Sequence, residues 1–519
     1  MKLVRALAKV GGFTSLSRVL GFLRDLVFAR LFGANEATDA FFVAFKLPNL
    51  FRRIFAEGAF AVAFVPVLSE YKETRNVSDL KTFVDHVAGV LALATLAVSL
   101  VGVVAGPLLI AVFAPGWYFG DRGDAGLAGE MLRLTFPYLF FISLTAFAGA
   151  ILNTHNRFGV PAFTPVLLNL CLIAAAWWLT PLFEEPVMGL AWGVFIAGVA
   201  QLAFNLPFLH QLRLLPKPTP TLRDPGVRKV LRLMGPAVFG ASATQIGLLL
   251  NTLIASLLVE GSISWLYYSD RLLEFPVGIL GAALATVVLP NLSRKYHSSS
   301  SEEFSALLDW GVRLAILLGL PAAVALFVLA GPIISTLFQS PVFDAEDVRM
   351  SSLSLMAYAF GLLPFLLVKV FAPGFYARQD TRTPVRIAVI AIIVNVSISL
   401  LLFNPLGHVG LALATTAMAV VNAGMLYIKI RDGEIYRPPP GWVALLLKSL
   451  LAAVLMGAAL WWLAGPLETW VAAGGWWKVG WLSLLVSGGV LVYFGALFLF
   501  GFRKDDFRGH PPAGNRHSG

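Results

Sequence analysis

Ionisable side chains interrupt stretches of this sequence that are otherwise apolar enough to cross a membrane. Between Ala37 and Tyr71 the chain carries Asp39, Lys46, Arg52, Arg53 and Glu57. A charge facing lipid at bilayer depth costs about 2.5–3.5 kcal/mol on insertion scales. Such groups are retained where they face one another or a water-filled interior, so this stretch points to a polar path through a membrane. At roughly 100° per residue, Lys46 and Arg53 fall on nearly one line, as do Asp39 and Glu57. Pro48 bends the register between them. A second group, Arg18, Arg24, Asp25 and Arg30, lies in the first apolar stretch, and a third, Asp270, Arg271 and Glu274, lies in SDRLLEFP. Asp270 and Glu274 are i,i+4 neighbours flanking Arg271. Lys369 stands alone in a later apolar run.

The signs select the ligand class. Across the first two spans six basic residues face three acids, so a cavity built there is net positive and favours an anion. The planar fork of arginine binds phosphate through paired hydrogen bonds. Arg18, Arg24, Arg52 and Arg271 are therefore the candidate ligands of a phosphate or diphosphate. Asp25, Asp39, Lys46, Arg53, Glu57, Asp270 and Glu274 are supporting charges, the acids serving as arginine partners before proton carriers. Arg30 and Arg53 lie near helix ends, where snorkelling to the interface accounts for them. Asp380 is a candidate cation ligand, and capping of the helix that follows explains it equally well. The histidines are scattered without metal-ligand spacing. No phosphate-binding Gly-rich loop with Lys-Ser/Thr, His-Glu-x-x-His or Gly-x-Ser-x-Gly is present. The expectation is a transporter, not an enzyme, with no cofactor and no metal.

Composition agrees. Of 519 residues 58% are hydrophobic and only 13% charged, with a mean hydropathy of +0.79. This is the profile of an all-α, polytopic membrane protein. The formal charge of +10 is spread over short loops and the spans themselves, which argues against a nucleic-acid partner. A single cysteine, Cys171, excludes an intramolecular disulfide. Arg18, Arg24 and Asp25 break any signal-peptide core, so the first apolar stretch is read as a retained span.

About fourteen spans follow from hydropathy and turn signals: 10–32, 38–68, 83–113, 129–153, 160–181, 187–209, 231–259, 264–292, 306–337, 349–377, 384–403, 408–429, 442–464 and 476–501. With the N-terminus inside, nearly every loop Lys and Arg falls on the inner side, leaving both termini cytoplasmic. A shift of 224 residues superposes Phe51 on Phe275, Pro66 on Pro290 and Ser69 on Ser293, and a shift of 223 pairs Pro161 with Pro384. An even number of spans per repeat gives two parallel, pseudo-symmetric six-helix lobes. The expected organisation is an N-lobe at 1–212, a cytoplasmic linker at 213–229, a C-lobe at 230–432, two extra helices at 433–502 and a tail at 503–519. Gly102/Gly106 and Gly189/Gly193 are expected to mark close helix packing.

TSLSRVLGFLRD (14–25), ATDAFFVAFKLPNLFRRIFAEGAF (37–60), GAILNTHNRF (149–158), SWLYYSDRLLEFPVGILG (264–281) and APGFYARQDTRTP (372–384) carry a family resemblance. The sequence resembles the MurJ (MviN) lipid II flippases of the multidrug/oligosaccharidyl-lipid/polysaccharide exporter superfamily. The resemblance implies a fourteen-helix protein of the bacterial inner membrane, its lobes in a V around a cationic cavity. It implies movement of lipid II, the undecaprenyl-diphosphate-linked peptidoglycan precursor, from the cytoplasmic to the periplasmic leaflet by alternating access. It implies essential charges at Arg18, Arg24, Asp39, Arg52 and Arg271, with Glu57 and Glu274 as further cavity residues. It implies a lipid-tail groove at spans 13 and 14, and partners among the cell-wall synthesis proteins are compatible with it. A flippase for another lipid-linked glycan of the O-antigen type fits the same charges. A cation-coupled drug antiporter fits them less well, because its substrate is usually cationic.

Overall fold

The fold is a computed structural model describing residues 2–54, 60–120, 123–298, 301–433, 436, 438 and 441–502. Glu57 lies outside the described residues. The described chain is helical throughout, without strands. The helices are α1 (Lys2–Phe32), α2 (Glu36–Phe51), α3 (Ala61–Thr74), α4 (Val77–Val104), α5 (Gly106–Phe113), α6 (Pro115–Tyr118), α7 (Ala125–Thr135), α8 (Tyr138–Thr154), α9 (Gly159–Trp178) and α10 (Met188–Gln211). They continue as α11 (Pro225–Ala255), α12 (Ser262–Ser298), α13 (Ser301–Val328), α14 (Ala330–Leu337), α15 (Ala345–Ala359), α16 (Leu362–Tyr376), α17 (Arg382–Asp432), α18 (Trp442–Ala464), α19 (Leu467–Ala472) and α20 (Gly475–Leu499).

Among the described residues eight helical segments are long and apolar enough to cross a membrane. A ninth appears when α15 and α16, bent by 41° at their junction, are taken as one. α1, α2, α11 and α12 are not among them, and α1, α2 and α12 carry the charges singled out in the sequence. The 51 residues of α17 exceed twice the length a bilayer needs. They are two helices joined at Gly407, whose φ of 55° only glycine adopts cheaply. Asn404-Pro405-Leu406-Gly407 places the break where the sequence expects it. The second expected span divides into α2 and α3, with a π-helical turn at 52–54 just after Pro48.

Small residues set the close approaches. A Cβ on Gly102 would lie 2.1 Å from the Phe136 ring, and one on Gly193 2.5 Å from Ala175 Cβ, where α9 meets α10.

Two compact units part between Ser264 and Trp265. In the first, α11 shares a core with α3, α4 and α8: Val227 and Val230 are buried among Phe64, Phe83, Phe147 and Ile151. The contact division therefore lies beyond α11, whereas the loop composition of 213–229 would divide the chain before it. In the second unit, Leu308, Val312, Leu366, Val370 and Ile430 centre one core, and α18 and α20 form another against α13 through Leu317, Met456, Leu460 and Tyr493.

The internal repeat reaches the element boundaries. α4 and α13 have equal lengths and are offset by 224 residues at both ends, as are α5 and α14. α8 and α16 begin 224 apart, and α9 and α17 begin 223 apart. In the turns before the latter pair, Asn156 (φ 60°) and Gln379 (φ 61°) are left-handed at equivalent positions.

Residues 212–224 form a strap on α4. The Lys217 N–H donates to Asp85 Oδ1 (2.7 Å), the Thr219 N–H to the Asp85 carbonyl (3.2 Å), and His86 Nδ1 lies 2.8 Å from Asp224. The strap backbone crosses directly over Gly89, where a Cβ would be 2.4 Å from Pro220 N. Gly89→Leu is expected to lift the strap and destabilise the protein by about 1–3 kcal/mol. Trypsin cleavage after Arg223 should accelerate severalfold; an unchanged cleavage rate would contradict this packing.

Candidate functional site

The first unit buries a cation. Arg24, only 7% exposed, directs Nε (3.0 Å) and Nη2 (2.7 Å) to Oδ1 of Asp25, itself 2% exposed. Its Nη1 donates to Asn169 Oδ1 at 3.1 Å, and Asn169 Nδ2 donates to the Ser17 carbonyl at 3.0 Å. Asn169 thus ties α9 to α1 and fixes the plane of the guanidinium. The Phe28 ring lies 5.7 Å from Arg24 Cζ and adds a cation–π contact. A buried arginine is tolerable only with such partners, since desolvation of an ion costs several kcal/mol.

Six residues earlier in α1, Arg18 is exposed and lines a cleft of about 450 Å³ with Thr14, Ser17, Asn153 and Phe158. Arg52 is half-buried and held by its neighbour, Nε donating to Asn49 Oδ1 at 2.8 Å. Lys46 is half-buried and Arg53 exposed.

Asp39 serves a different end. It is 3% exposed, and its carboxylate accepts from the Gly261 N–H (2.9 Å), the Ser264 N–H (2.7 Å) and the Ser264 hydroxyl. These are orphan donors at the N-terminus of α12, where the helix dipole favours negative charge. A carboxylate on a distant helix therefore acts as the cap of α12.

In the second unit Arg271 Nη1 donates to Glu274 Oε2 at 2.6 Å, and Arg271 Cζ lies 4.9 Å from the centre of the Tyr267 ring. Asp270 is half-buried and Glu274 exposed. Lys369 is exposed, with its aliphatic stem against Gly281. Asp380 Oδ1 accepts from the N–H groups of Arg382 (3.1 Å) and Thr383 (3.0 Å), capping α17. Those donors, the Thr383 hydroxyl foremost, hold the Asp380 carboxyl below its ordinary range. Among the described residues no group of three or more His, Cys, Asp or Glu is arranged to hold a metal.

Sequence reasoning passed over Asn169, Asn49 and the Gly261–Ser264 turn. Asn169 had a visible signal, an amide alone in an apolar span. It also passed over a buried ion pair on α13, Asp309 with Arg313, in contact with Tyr436.

Comparison with known proteins fixes the family. The family model described as lipid II flippase MurJ matches residues 28–474. The chain belongs to the MurJ family. A probable lipid II flippase MurJ of Haemophilus influenzae is 45% identical over 503 residues, covering 95% of this chain and 98% of the relative. The lipid II flippase MurJ of Burkholderia cenocepacia is 43% identical over 514 residues, covering 98% and 99%. A solved lipid II flippase MurJ in an inward closed conformation matches with a TM-score of 0.79 at 25% identity, over 95% of this chain and 98% of that one. An inward-facing multidrug resistance MATE transporter of the MOP superfamily shares the fold at a TM-score of 0.66 and 17% identity. The protein is thus an all-helical, multi-pass membrane protein of the MurJ family.

Two outcomes follow from the geometry. Asp25→Leu leaves a buried guanidinium without its carboxylate and should lower stability by about 3–5 kcal/mol, against about 1–2 kcal/mol for Asn169→Leu. Thermal unfolding in detergent reads the order; equal small shifts would contradict the assigned roles. The depressed Asp380 carboxyl stabilises α17 fully above its ordinary value of 3.8 and loses that contribution as pH falls through the lower folded value. Hydrogen exchange at the Arg382 and Thr383 amides should therefore quicken in acid below that value. Asp380→Ala should remove the pH step.

Proposed function

We propose that this MurJ-family protein moves lipid II from the cytoplasmic to the periplasmic leaflet of the inner membrane, with about fourteen spans and both termini cytoplasmic. Arg18, Arg24, Arg52 and Arg271 receive its diphosphate, while the polyprenyl chain stays in an apolar environment along the last two long helices. The observation that carries this reading is the buried, preorganised Arg24 in a chain of this family. Asp25 holds the guanidinium charged and oriented while no substrate is bound. A phosphate oxygen takes over charge-assisted hydrogen bonds of the same kind, so binding exchanges partners rather than burying a bare ion. Lys46, Arg53, Glu57, Asp270 and Glu274 tune the field around the arginines, and Asp39 keeps α12 capped. We assign Asp380 to the cap of α17.

Substrate drives the cycle only to the extent that it binds one conformation more tightly than the other.

Reconstitution in liposomes tests the assignment. Wild type should translocate lipid II, Arg24→Ala should lower the rate at least about a hundredfold, and Arg271→Glu should do the same. Arg24→Lys keeps the charge without the fork and should fall between them. Undiminished flipping by Arg24→Ala or Arg271→Glu would show that the diphosphate binds elsewhere.

A further inference from the structure

Lys369 is a cation that the diphosphate reading leaves without a task. It is the one Lys, Arg, Asp or Glu in α16 and the middle residue of that helix. Its neighbours Leu366, Val370 and Phe371 are buried in the core of the second unit, whereas Lys369 itself is exposed. A lysine at that depth is costly against lipid and is retained where it faces water or an anion.

The side chain is also aimed. A Cβ on Gly281 of α12 would lie 2.3 Å from Lys369 Cδ and 2.8 Å from Cε. The stem therefore lies in a notch that only glycine leaves open. A lysine that served only to reach a membrane surface would need no such notch. One that presents its ammonium at a fixed place does.

That place is related to Arg271. Arg271, Glu274, Gly278 and Gly281 follow one another at spacings of three and four residues, so they share one face of α12. Ten residues of helix separate Arg271 from Gly281 by about 15 Å. The Arg271 guanidinium is turned toward Tyr267, one turn nearer the start of α12, which brings it no closer to Lys369. A diphosphate held by Arg271 is too short to reach both cations. Lys369 thus fits a second anionic group on the same ligand. An extended peptide spans about 3.3–3.6 Å per residue, so four or five residues cover the gap. The peptide of a peptidoglycan precursor carries carboxylates within that range.

We infer that Lys369 is a specificity-determining residue that receives a carboxylate of the headgroup peptide while Arg271 holds the diphosphate, with Gly281 setting the direction of the lysine. The inference rests on the flippase reading above.

The test uses full-length protein in liposomes and two preparations of lipid II that differ only in their peptide carboxylates, free or converted to amides. Wild type should need about tenfold more of the amidated lipid for half-saturation of transport. Lys369→Gln keeps the stem and removes the charge. It should need about tenfold more of the free-carboxylate lipid and lose nothing further on amidation, because the two changes remove the same contact. Lys369→Arg should stay near wild type with both lipids. Gly281→Ala fills the notch without touching the charge, and it should show a smaller loss confined to the free-carboxylate lipid. Equal losses by Lys369→Gln for both lipids assign the residue to folding or to the diphosphate and overturn the inference. Unchanged values for both lipids, or a wild type indifferent to amidation, overturn it as well. If wild type moves neither lipid, the flippase reading itself fails, which a difference among variants cannot mimic.

Discussion

A charge inside an apolar medium must bring its own solvent, and much of this chain is arranged around that requirement. Arg24 shows it most fully. Its guanidinium is enclosed by a carboxylate from the next residue, an amide from α9 and an aromatic face one turn along α1. Each partner replaces part of a hydration shell, and each fixes a position. Asn169 cannot serve Arg24 unless α1 and α9 hold one register, so the polar contact specifies the packing of the helices that supply it. A buried ion pair adds little net stability compared with apolar packing, which makes specificity and binding the physical reasons for one here.

The same economy appears at helix ends. Asp39 answers orphan donors at the start of α12 from a helix more than two hundred residues earlier. Asp85 answers the strap, and Asp309 answers Tyr436. In each case a short acidic side chain satisfies a donor on another element, buried at Asp39 and Asp309 and exposed at the strap. Asp85 and Asp309 stand 224 residues apart, the offset at which the element boundaries coincide for α4 with α13 and α5 with α14.

Much of this was legible in the residues. Asn404-Pro405-Leu406-Gly407 announced the reversal within α17, since proline and glycine there permit little else. The acids were read as arginine partners, and Asp25 is one, of Arg24; glycines 102 and 193 announced close packing. Partners distant in sequence were not legible: nothing local in Asp39 points to Gly261 and Ser264, and nothing in Tyr436 points to Asp309. A capping residue supplied from another helix has no sequence spacing to read. The place of α11 was likewise hidden, because loop composition marks where the chain crosses between elements, not which core Val227 and Val230 enter. The family came from long motifs, whereas the anionic character of the ligand followed from counting arginines.

The most direct test of the central claim is the exposure of lipid II on the outer face of cells depleted of this protein, read by a periplasm-restricted toxin that cleaves only outward-facing lipid II. Cleavage should collapse on depletion and return with the wild-type chain. Persistent cleavage in depleted cells, with another lipid-linked glycan accumulating inside, would contradict the assignment of lipid II as the substrate and leave the buried arginine to serve a different anion.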